Sequence, residues 1–431
     1  MNRIAAQVAQ KFAREVLERN RRTGMCPWRQ HRYSFVCPAP ALYPFQWAWD
    51  SAFHAISLTH VDASLAKMEL ECWLAAQRAD GFCGHIVLWD DEHRTAAEKN
   101  WVIALDPLAE GRTTSTIQPP VIARAVERVW LATGDASWLA RVLPRVMAFF
   151  DWLAADRDPQ QSGLLTILQP DESGLDGSPK YDVLTEIDRA EPHHAFAAYE
   201  RSLRRLHAEY RPHRAKVGIL AQNASFAWRD VLVNSIYGDG LRCLARLCRA
   251  AGVGSSACEK WDRSADRVTS ALIENHWEEE AGAFFDGHGR GWQRVPTLTI
   301  SSLFPLILAD LPRPIVRRLV EEHLLDEEEF WLEYPLPSVA ASEPSFDPGF
   351  TMNAIFRGPT WVNTNWYLYW GLRTHGYTDV ARTLALRTVE MVAKSGMREF
   401  YDPRDATGYG ARDFAWSSLV LDLMAAEGCS S

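Results

Sequence analysis

Residues 241–275 read LRCLARLCRAAGVGSSACEKWDRSADRVTSALIEN, and the pattern in this stretch decides the fold. Apolar residues recur at helical spacing in Leu241–Arg249 and again in Ala257–Asn275, and Gly252-Val253-Gly254 separates the two runs. Because glycine adopts the left-handed conformation at the end of a helix at little cost, the stretch predicts two helices joined by a tight turn. Such a pair is an αα-hairpin.

The same pattern occurs four more times along the chain, with tight turns near residues 60, 134, 311 and 376. A sixth pair forms if the last helix, Asp413–Ala426, packs beside the first, Ile4–Arg19. Six hairpins closed into a ring give alternating inner and outer helices. The sequence therefore predicts an all-α protein, an (α/α)6 barrel or toroid of six helical hairpins.

Long connections alternate with the tight turns, so we expect them to lie together on the opposite face of the ring. The predicted connections are residues 20–50, 79–118, 157–223, 277–296, 326–360 and 395–412. The segment 157–223 contains an extra helix, Pro192–Tyr210, and is predicted to form a cap within a single catalytic domain of residues 1–431. Gly163–Gln169 is the best candidate for a short strand. Long loops on a rigid scaffold commonly carry functional sites.

Composition excludes several classes of protein. The chain has 431 residues, 47% hydrophobic and 23% charged, which is typical of a globular protein. Its net charge of -9 argues against a nucleic-acid or anionic-membrane partner. No apolar run is long enough to span a membrane, and the eight cysteines contain no CxxC pair, so we expect reduced thiols and a cytoplasmic location. The 18 Trp, 18 Phe and 12 Tyr suggest a pocket that stacks on a flat ligand.

The sequence contains no HExxH motif, EF-hand loop or paired CxxC, so we expect no metal and no cofactor. His193 and His194 are adjacent, and their rings would leave a helix in different directions. Gly252–Ala257 imitates a dinucleotide-binding motif, but it joins two helices and follows no strand.

Three predicted loops combine carboxylates with aromatic residues. Asp50 follows directly after the aromatic run Tyr43–Trp49, and a purely structural interpretation makes it the N-cap of a helix that starts at Ser51. Asp171, Glu172 and Asp176 lie in a glycine-rich loop, for which a solvated turn is the structural alternative. Glu399 lies in Met397–Pro403, where an ordinary surface position is the alternative. Two carboxyl groups facing each other in an aromatic pocket suit glycoside hydrolysis, in which one is protonated and the other is ionised.

Four motifs, spread over most of the chain and in the same order, resemble glycoside hydrolase family 63, and within it the bacterial mannosylglycerate and glucosylglycerate hydrolases. The motifs are Trp-Asp-Ser-Ala-Phe at 49–53, Glu-Ser-Gly-Leu-Asp-Gly-Ser-Pro at 172–179, Arg-Gly-Pro-Thr-Trp-Val-Asn-Thr-Asn-Trp at 357–366 and Glu-Phe-Tyr-Asp-Pro at 399–403. The resemblance implies an (α/α)6 barrel, a small carbohydrate substrate and hydrolysis with inversion. It implies that Asp176 is the general acid and Glu399 the general base.

The resemblance also implies a set of sugar-binding residues, with Asp50 as an acceptor for sugar hydroxyls. These residues are Tyr43, Trp49, Asp50, Gln118, Trp361 and Trp366. The chain departs from the family pattern at Gly177, where many relatives are expected to have Asn, and at Thr360, where an aromatic residue is expected. In addition, Thr185–His194 shows no pattern expected of a glycerate-binding cation.

Three alternatives stay open at this point. One is a sugar epimerase or isomerase on the same scaffold, which would use a histidine pair such as His54 and His194. Another is a non-catalytic carbohydrate-binding scaffold, and the third is a helical-repeat scaffold that binds another protein. The sequence does not choose between glucose and mannose as the glycone, does not identify the aglycone, and leaves open whether the protein forms a homo-oligomer.

Overall fold

The computed structural model describes residues 3–27, 31–97, 112–185, 187, 194–210, 212, 226–289 and 291–429. The α-helices in these ranges are α1 (Arg3–Arg19), α2 (Ala48–Leu58), α3 (Ala63–Ala75), α4 (Asp91–Ala97), α5 (Ile122–Thr133), α6 (Ala136–Arg157), α7 (Asp182–Thr185), α8 (Ala195–Tyr210), α9 (Val231–Ala250), α10 (Ser255–His276), α11 (Arg313–Arg318), α12 (Val362–Thr374), α13 (Thr378–Ser395) and α14 (Val420–Ala426). Shorter 3₁₀ helices span Pro170–Ser173, Pro179–Tyr181, Ile300–Ile307 and Ala415–Leu419, and a π-helix spans Leu319–Leu324.

Six segments form a closed inner ring. They are α2, α5, α9, the 3₁₀ helix Ile300–Ile307, α12, and the continuous unit 415–426 made of a 3₁₀ helix and α14. Each segment contacts the next, and 415–426 contacts α2, so the ring closes. Inner helices are surrounded by other helices, which explains why every residue of α2 from Trp49 to Leu58 is buried.

Each inner segment pairs with an outer helix. The outer partners are α3, α6, α10, the unit 313–324, α13 and α1. The sixth pair joins the two ends of the chain, because α1 packs against the unit 415–426 as expected from the sequence. The protein is therefore an (α/α)6 barrel, as the repeat of tight turns predicts.

The tight turns contain the left-handed glycine and the helix-capping aspartates that the hairpin pattern implies. Gly134 ends α5 in the left-handed conformation, with φ of 60°. The next residue, Asp135, caps α6 by accepting a hydrogen bond of 3.0 Å from the Trp138 amide. Asp62 caps α3 in a similar way through the Ser64 amide, at 2.8 Å. These turns reverse the chain within a few residues, so each outer helix packs directly on its inner partner.

One inner element differs from its prediction. The sequence predicts an ordinary helix over Ile300–Ala309, whereas the structure has a 3₁₀ helix that ends at Ile307. Pro305 lies inside it, and proline has no amide hydrogen to donate and clashes with the preceding turn of an α-helix. The tighter 3₁₀ form avoids that clash over a short length.

The strands are short and antiparallel. They are β1 (Arg21–Cys26), β2 (His31–Val36), β3 (Gln46–Trp47), β4 (Ile86–Val87), β5 (Trp228–Arg229), β6 (Trp277–Glu278), β7 (Ala283–Phe284), β8 (Gly287–His288), β9 (Gln293–Arg294), β10 (Arg398–Tyr401) and β11 (Gly408–Arg412). They pair as β1-β2, β3-β4, β5-β8-β9, β6-β7 and β10-β11. The predicted strand at Gly163–Gln169 was wrong, since that segment makes only a single bridge, between Ile167 and Trp228.

The segment predicted as a cap contains helix α8. The helix begins at Ala195 among the described residues, and the predicted first residues Pro192 and His193 lie outside them. The inner side of α8 contributes Ala198 and Tyr199 to a small apolar cluster that also contains Ala354 from the loop before α12. None of the helices in the described ranges is both long and apolar enough to cross a bilayer. All eight cysteines are free thiols, and all but Cys429 are buried.

Candidate active site

A cavity of about 260 Å³ opens where the inner helices begin. Trp47, which precedes α2, and Trp361, which precedes α12, both line it. Every inner segment follows a long connection, and the first five are followed by a tight turn, so the long connections meet at this end of the barrel. The cavity therefore lies on the face where the sequence predicts the functional loops.

The cavity brings together most of the residues expected to form the site. Its wall includes Asp176, Glu399, Tyr43, Trp49, Asp50, Gln118 and Trp361. These residues come from connections that are far apart in the chain, and they meet only because the ring closes. The described wall also contains residues that the sequence analysis did not assign to the site, among them Trp47, His85, Asp171, Tyr199 and Trp416.

The acid loop, residues 169–182, carries Asp176 and is fixed at its start by Glu172. The Glu172 carboxylate is fully buried and accepts two hydrogen bonds from the Arg157 guanidinium, at 2.6 and 2.8 Å. It also accepts the amides of Ile117 at 2.9 Å and Leu168 at 2.7 Å. Since all these contacts are internal, Glu172 supports the loop and does not face the cavity.

The other end of the acid loop is fixed by a buried ammonium group. Lys180 Nζ donates to Asp230 at 2.6 Å and to Ser301 at 2.8 Å, and it lies 3.1 Å from Asp286. The Tyr181 hydroxyl also donates to Asp230, at 2.6 Å. Three separate parts of the barrel thus hold the loop four residues after Asp176.

Two glycines let the acid loop approach its neighbours closely. Gly174 has a φ of 69°, and a Cβ placed there would lie 2.3 Å from the Trp49 ring. A Cβ at Gly177 would lie 2.6 Å from the carbonyl oxygen of Ile355. Asparagine, the residue expected at position 177 in many relatives, therefore does not fit here unless the loop before α12 moves.

Asp176 has the environment of a protonated acid. Its carboxyl group opens into the cavity, and among the described residues no side chain or amide of another residue donates a hydrogen bond to it. Burial raises its pKa well above the ordinary value, and the nearby negative charges of Asp171 and Glu399 raise it further. The group therefore holds its proton to a higher pH than an exposed aspartate does.

Glu399 lies on β10 and has donors that Asp176 lacks. Its Oε2 accepts the amide of Ala411 at 2.7 Å, and the Tyr43 hydroxyl is 3.4 Å from its Oε1. Burial raises the pKa of Glu399 to about 7, while these hydrogen bonds and the charge of Arg398 oppose the rise. Glu399 thus has hydrogen-bond donors that favour its ionised form, whereas Asp176 has none from other described residues, and this is the contrast that a base and an acid require.

Aromatic rings enclose the two carboxyl groups. Trp361 stacks on Phe356 with the ring centroids 3.8 Å apart and 12° between the planes, and it also contacts Phe400 at 4.6 Å. Trp416 continues this wall, since it meets Trp361 edge to face at 5.7 Å and Trp49 edge to face at 5.4 Å. Such rigid walls suit a flat apolar sugar face.

Trp366 was expected among the sugar-binding residues, but it does not line this cavity. Its indole Nε1 donates to the buried Asp422 carboxylate at 2.8 Å, and Trp370 donates to the same oxygen at 3.2 Å. His60 and Arg128 bind the other oxygen of Asp422. Trp366 is thus part of a polar cluster that joins the inner helices to the turn at residue 60.

The structure also rules out the interpretation of Asp50 as a helix N-cap. Helix α2 begins at Ala48, so Asp50 lies in its first turn and is not the N-cap. Its Oδ1 is buried and has no hydrogen-bond partner among the described residues. Burial raises the pKa of Asp50 well above the ordinary value, and the charge of Glu399 adds to the rise. Nearby, Gln118 accepts the Trp49 amide at 3.0 Å and holds the start of the helix in place.

Further unpartnered polar atoms surround the cavity. Trp47 Nε1, Trp361 Nε1 and His85 Nε2 are buried, and no hydrogen bond to them is present within the part of the chain that the structure describes. All three residues line the cavity together with Asp50. A buried polar group without a partner costs about 1–3 kcal/mol, so two indole donors, one imidazole nitrogen and one carboxyl oxygen around one space indicate a hydroxyl-rich ligand.

For the cavity residues that the sequence analysis did not assign to the site, the sequence patterns differ in how well they could have been recognised. Trp47 belongs to the aromatic run that begins at Tyr43, and Asp171 belongs to the acid loop, so both lay within the right segments. His85 had no distinguishing pattern. The histidine pair that the epimerase alternative requires is not found at the cavity, because neither His54 nor His194 lines it. His54 is buried against the Val36 carbonyl at 3.0 Å, and burial lowers its pKa to about 3.

An aromatic cavity on an (α/α)6 barrel, with two carboxyl groups in different hydrogen-bonding environments, suits a glycoside hydrolase. The family profile of the mannosylglycerate hydrolase MGH1-like glycoside hydrolase domain matches residues 43–417, and the chain belongs to this family. The protein is therefore a glycoside hydrolase.

Named relatives agree with this assignment. The chain is 32% identical to the mannosylglycerate hydrolase of Thermus thermophilus, with 91% of this chain and 97% of the relative covered. It is 28% identical to the glucosylglycerate hydrolase of Mycolicibacterium hassiacum, with 90% and 93% covered. Among solved structures it resembles a GH63 mannosylglycerate hydrolase from Thermus thermophilus in complex with Tris and D-glycerate. That match has a TM-score of 0.82 and 29% identity, and it covers 96% of this chain and 99% of the other.

Proposed function

We propose that the protein is an inverting α-glycosidase that hydrolyses a small α-glucoside or α-mannoside, such as glucosylglycerate or mannosylglycerate. The observation that carries this proposal is the contrast between Asp176 and Glu399 within one aromatic cavity. Names of the relatives support a glycerate glycoside as the substrate class, and both glycones occur among them.

In the proposed reaction Asp176 gives its proton to the glycosidic oxygen as the bond from that oxygen to the anomeric carbon breaks. Glu399 removes a proton from a water molecule, which attacks the anomeric carbon from the opposite face. The products are the free aglycone and a sugar of inverted configuration. Afterwards Asp176 lacks a proton and Glu399 carries one, and exchange with solvent restores both groups.

The unpartnered groups would bind the sugar. Asp50 Oδ1 would accept a hydrogen bond from a sugar hydroxyl, while Trp47, Trp361 and His85 would offer partners to other hydroxyls. The Trp361 ring would stack on the sugar, because Phe356 holds it in a fixed orientation. These polar groups would then form hydrogen bonds with the substrate, which favours a ligand rich in hydroxyls over a purely apolar one.

Time-resolved proton NMR of the anomeric signals tests this proposal. The enzyme is incubated separately with glucosylglycerate and mannosylglycerate, and the β-anomer of the free sugar is expected to appear before mutarotation mixes the anomers. Asp176→Asn and Glu399→Gln should abolish turnover while circular dichroism shows unchanged helix content. Release of the α-anomer first, or full activity in Asp176→Asn, would contradict the proposal.

A further inference from the structure

Asp171 is a third carboxylate of the acid loop, and the mechanism proposed above does not use it. It is buried, lies five residues before Asp176 and lines the same cavity. Buried carboxylates require partners, so the question is what holds Asp171 and what it does to its neighbours. The inference below rests on the proposed function, because it concerns the proton that Asp176 gives to the leaving group.

Each oxygen of Asp171 has its own donor. The Tyr199 hydroxyl donates to Oδ1 at 3.0 Å, and Gln169 Nε2 donates to Oδ2 at 2.9 Å. The Gln169 amide is oriented by His207, whose Nε2 lies 2.8 Å from Gln169 Oε1. With the Gln169 oxygen facing His207, the proton of that contact belongs to His207 Nε2, so the donors run in one direction toward Asp171.

Two of these contacts come from helix α8. Tyr199 and His207 are eight residues apart on α8, on the side that faces the acid loop. A carboxyl group that accepts one hydrogen bond at each oxygen is favoured in its ionised form. Helix α8 therefore stabilises a negative charge on Asp171.

The other charged groups near Asp171 and Asp176 either have a counter-ion or affect the pKa of Asp176 less than the charge of Asp171 does. Arg157 neutralises the adjacent Glu172, and Asp230 with Asp286 neutralises Lys180. The Tyr43 and Tyr199 hydroxyls, which face the two aspartates from the loop before α2 and from α8, stay neutral because their pKa values are raised well above 10. Glu399 faces Asp176 from β10, but its charge affects the pKa of Asp176 less than the charge of Asp171 does.

The surroundings of the two aspartates consequently favour different protonation states. Burial raises the pKa of Asp171 to about 6, and its two hydrogen bonds limit that rise. Burial also raises the pKa of Asp176 well above the ordinary value, and no comparable donors among the described residues oppose that rise. A proton divided between the two groups is thus favoured on Asp176, which is the group that needs it in the proposed reaction.

We propose that Asp171 is a positioning residue of the hydrolase: its ionised carboxylate, held by Tyr199 and Gln169, keeps the leaving-group proton on Asp176. When Asp176 has given that proton to the glycosidic oxygen, two negative carboxylates face each other in a buried site. Their repulsion favours uptake of a new proton from water by Asp176, which completes the cycle without another reactant. Asp171 thus acts both before and after bond cleavage.

The pH profile of kcat/KM in Asp171→Asn tests the proposal, because that profile reports the free enzyme's acid and base. Removing the charge of Asp171 should move the alkaline limb, where the acid loses its proton, to lower pH by roughly one unit. Substrate and conditions are those in which the wild type is active. Glu200→Gln, which removes a partly exposed carboxylate of α8 that lies outside the cavity wall, is the matched control and should leave the limb in place.

Tyr199→Phe gives a second, independent test that keeps Asp171 itself. Loss of one donor should let part of the shared proton move to Asp171, so the maximal rate should fall while the alkaline limb does not move to lower pH. An alkaline limb that stays in place in Asp171→Asn, with a rate lowered equally at every pH, would overturn the inference. The proposed function has a separate failure, which is that wild-type enzyme releases sugar with retained configuration or none at all.

Discussion

Replacing the general base should stabilise the folded protein at alkaline pH, and the substitution is Glu399→Gln. Burial raises the pKa of Glu399 from 4.5 to about 7, so the folded protein binds this proton more tightly than the unfolded chain does. The stability that the protonated group contributes is complete below pH 4.5 and is lost as the pH rises through about 7. The neutral amide of glutamine undergoes no such change.

The size of the effect follows from the same pKa values. A rise from 4.5 to about 7 corresponds to on the order of 3 kcal/mol, at roughly 1.4 kcal/mol per pH unit. Above about pH 8, Glu399→Gln should therefore unfold at a higher urea concentration than the wild type, whereas near pH 4.5 the two proteins should differ little. The variant loses activity and gains stability, which is typical of a strained catalytic group.

Urea denaturation followed by tryptophan fluorescence, at about pH 5 and about pH 8.5, measures the difference. Glu279→Gln serves as the matched control, because the Glu279 carboxylate is exposed at the surface, with 81% of its side chain accessible. The control should match the wild type at both pH values. Equal stability of Glu399→Gln and wild type at the alkaline pH, or a gain of the same size at both, would refute the reasoning.

Three other predictions concern the cavity and the acid loop. Lys180→Met leaves two buried carboxylates without their cation and should lower the free energy of unfolding by about 3–5 kcal/mol in urea denaturation; a loss below about 1 kcal/mol would show that the cluster does not anchor the loop. Asp50→Asn replaces one carboxyl oxygen with an amide NH2 group, which cannot accept a hydrogen bond, and should lower kcat/KM by about 10- to 100-fold in a steady-state assay; an unchanged value would remove Asp50 from the sugar site. The profile of kcat/KM against pH should be bell-shaped, with an acidic limb near pH 7 from Glu399 and a more alkaline limb from Asp176. A profile that falls steadily from acidic pH would contradict that assignment.

The fold was accessible from the sequence because its signal is local and repeated. Turns such as Gly134-Asp135 supply a left-handed residue followed by a helix cap, and this chemistry is visible in a few letters. The closure of the ring by α1 and the unit 415–426 followed from the count of hairpins. The 3₁₀ form of Ile300–Ile307 was harder to foresee, since a proline inside an apolar run is compatible with a kinked α-helix as well.

Site residues were predictable only to the level of their segments. Trp361 and Trp366 lie in one motif, yet Trp361 precedes α12 in an extended conformation whereas Trp366 lies inside the helix, so the two rings face different surroundings. Trp361 meets the cavity, while Trp366 reaches Asp422. The contacts of Asp171 with Tyr199 and Gln169 depend on how α8 packs over the acid loop, and no sequence pattern encodes that packing.

The protonation states of Asp176 and Glu399 are the centre of this account, and carbon-13 NMR titration of the side-chain carboxyl groups measures them directly. Signals are assigned by comparing the wild type with Asp176→Asn and Glu399→Gln, each without substrate. We predict that Glu399 titrates near pH 7 and that Asp176 is still protonated when Glu399 has ionised. If Asp176 ionises first, the acid and base roles assigned to the two residues are contradicted.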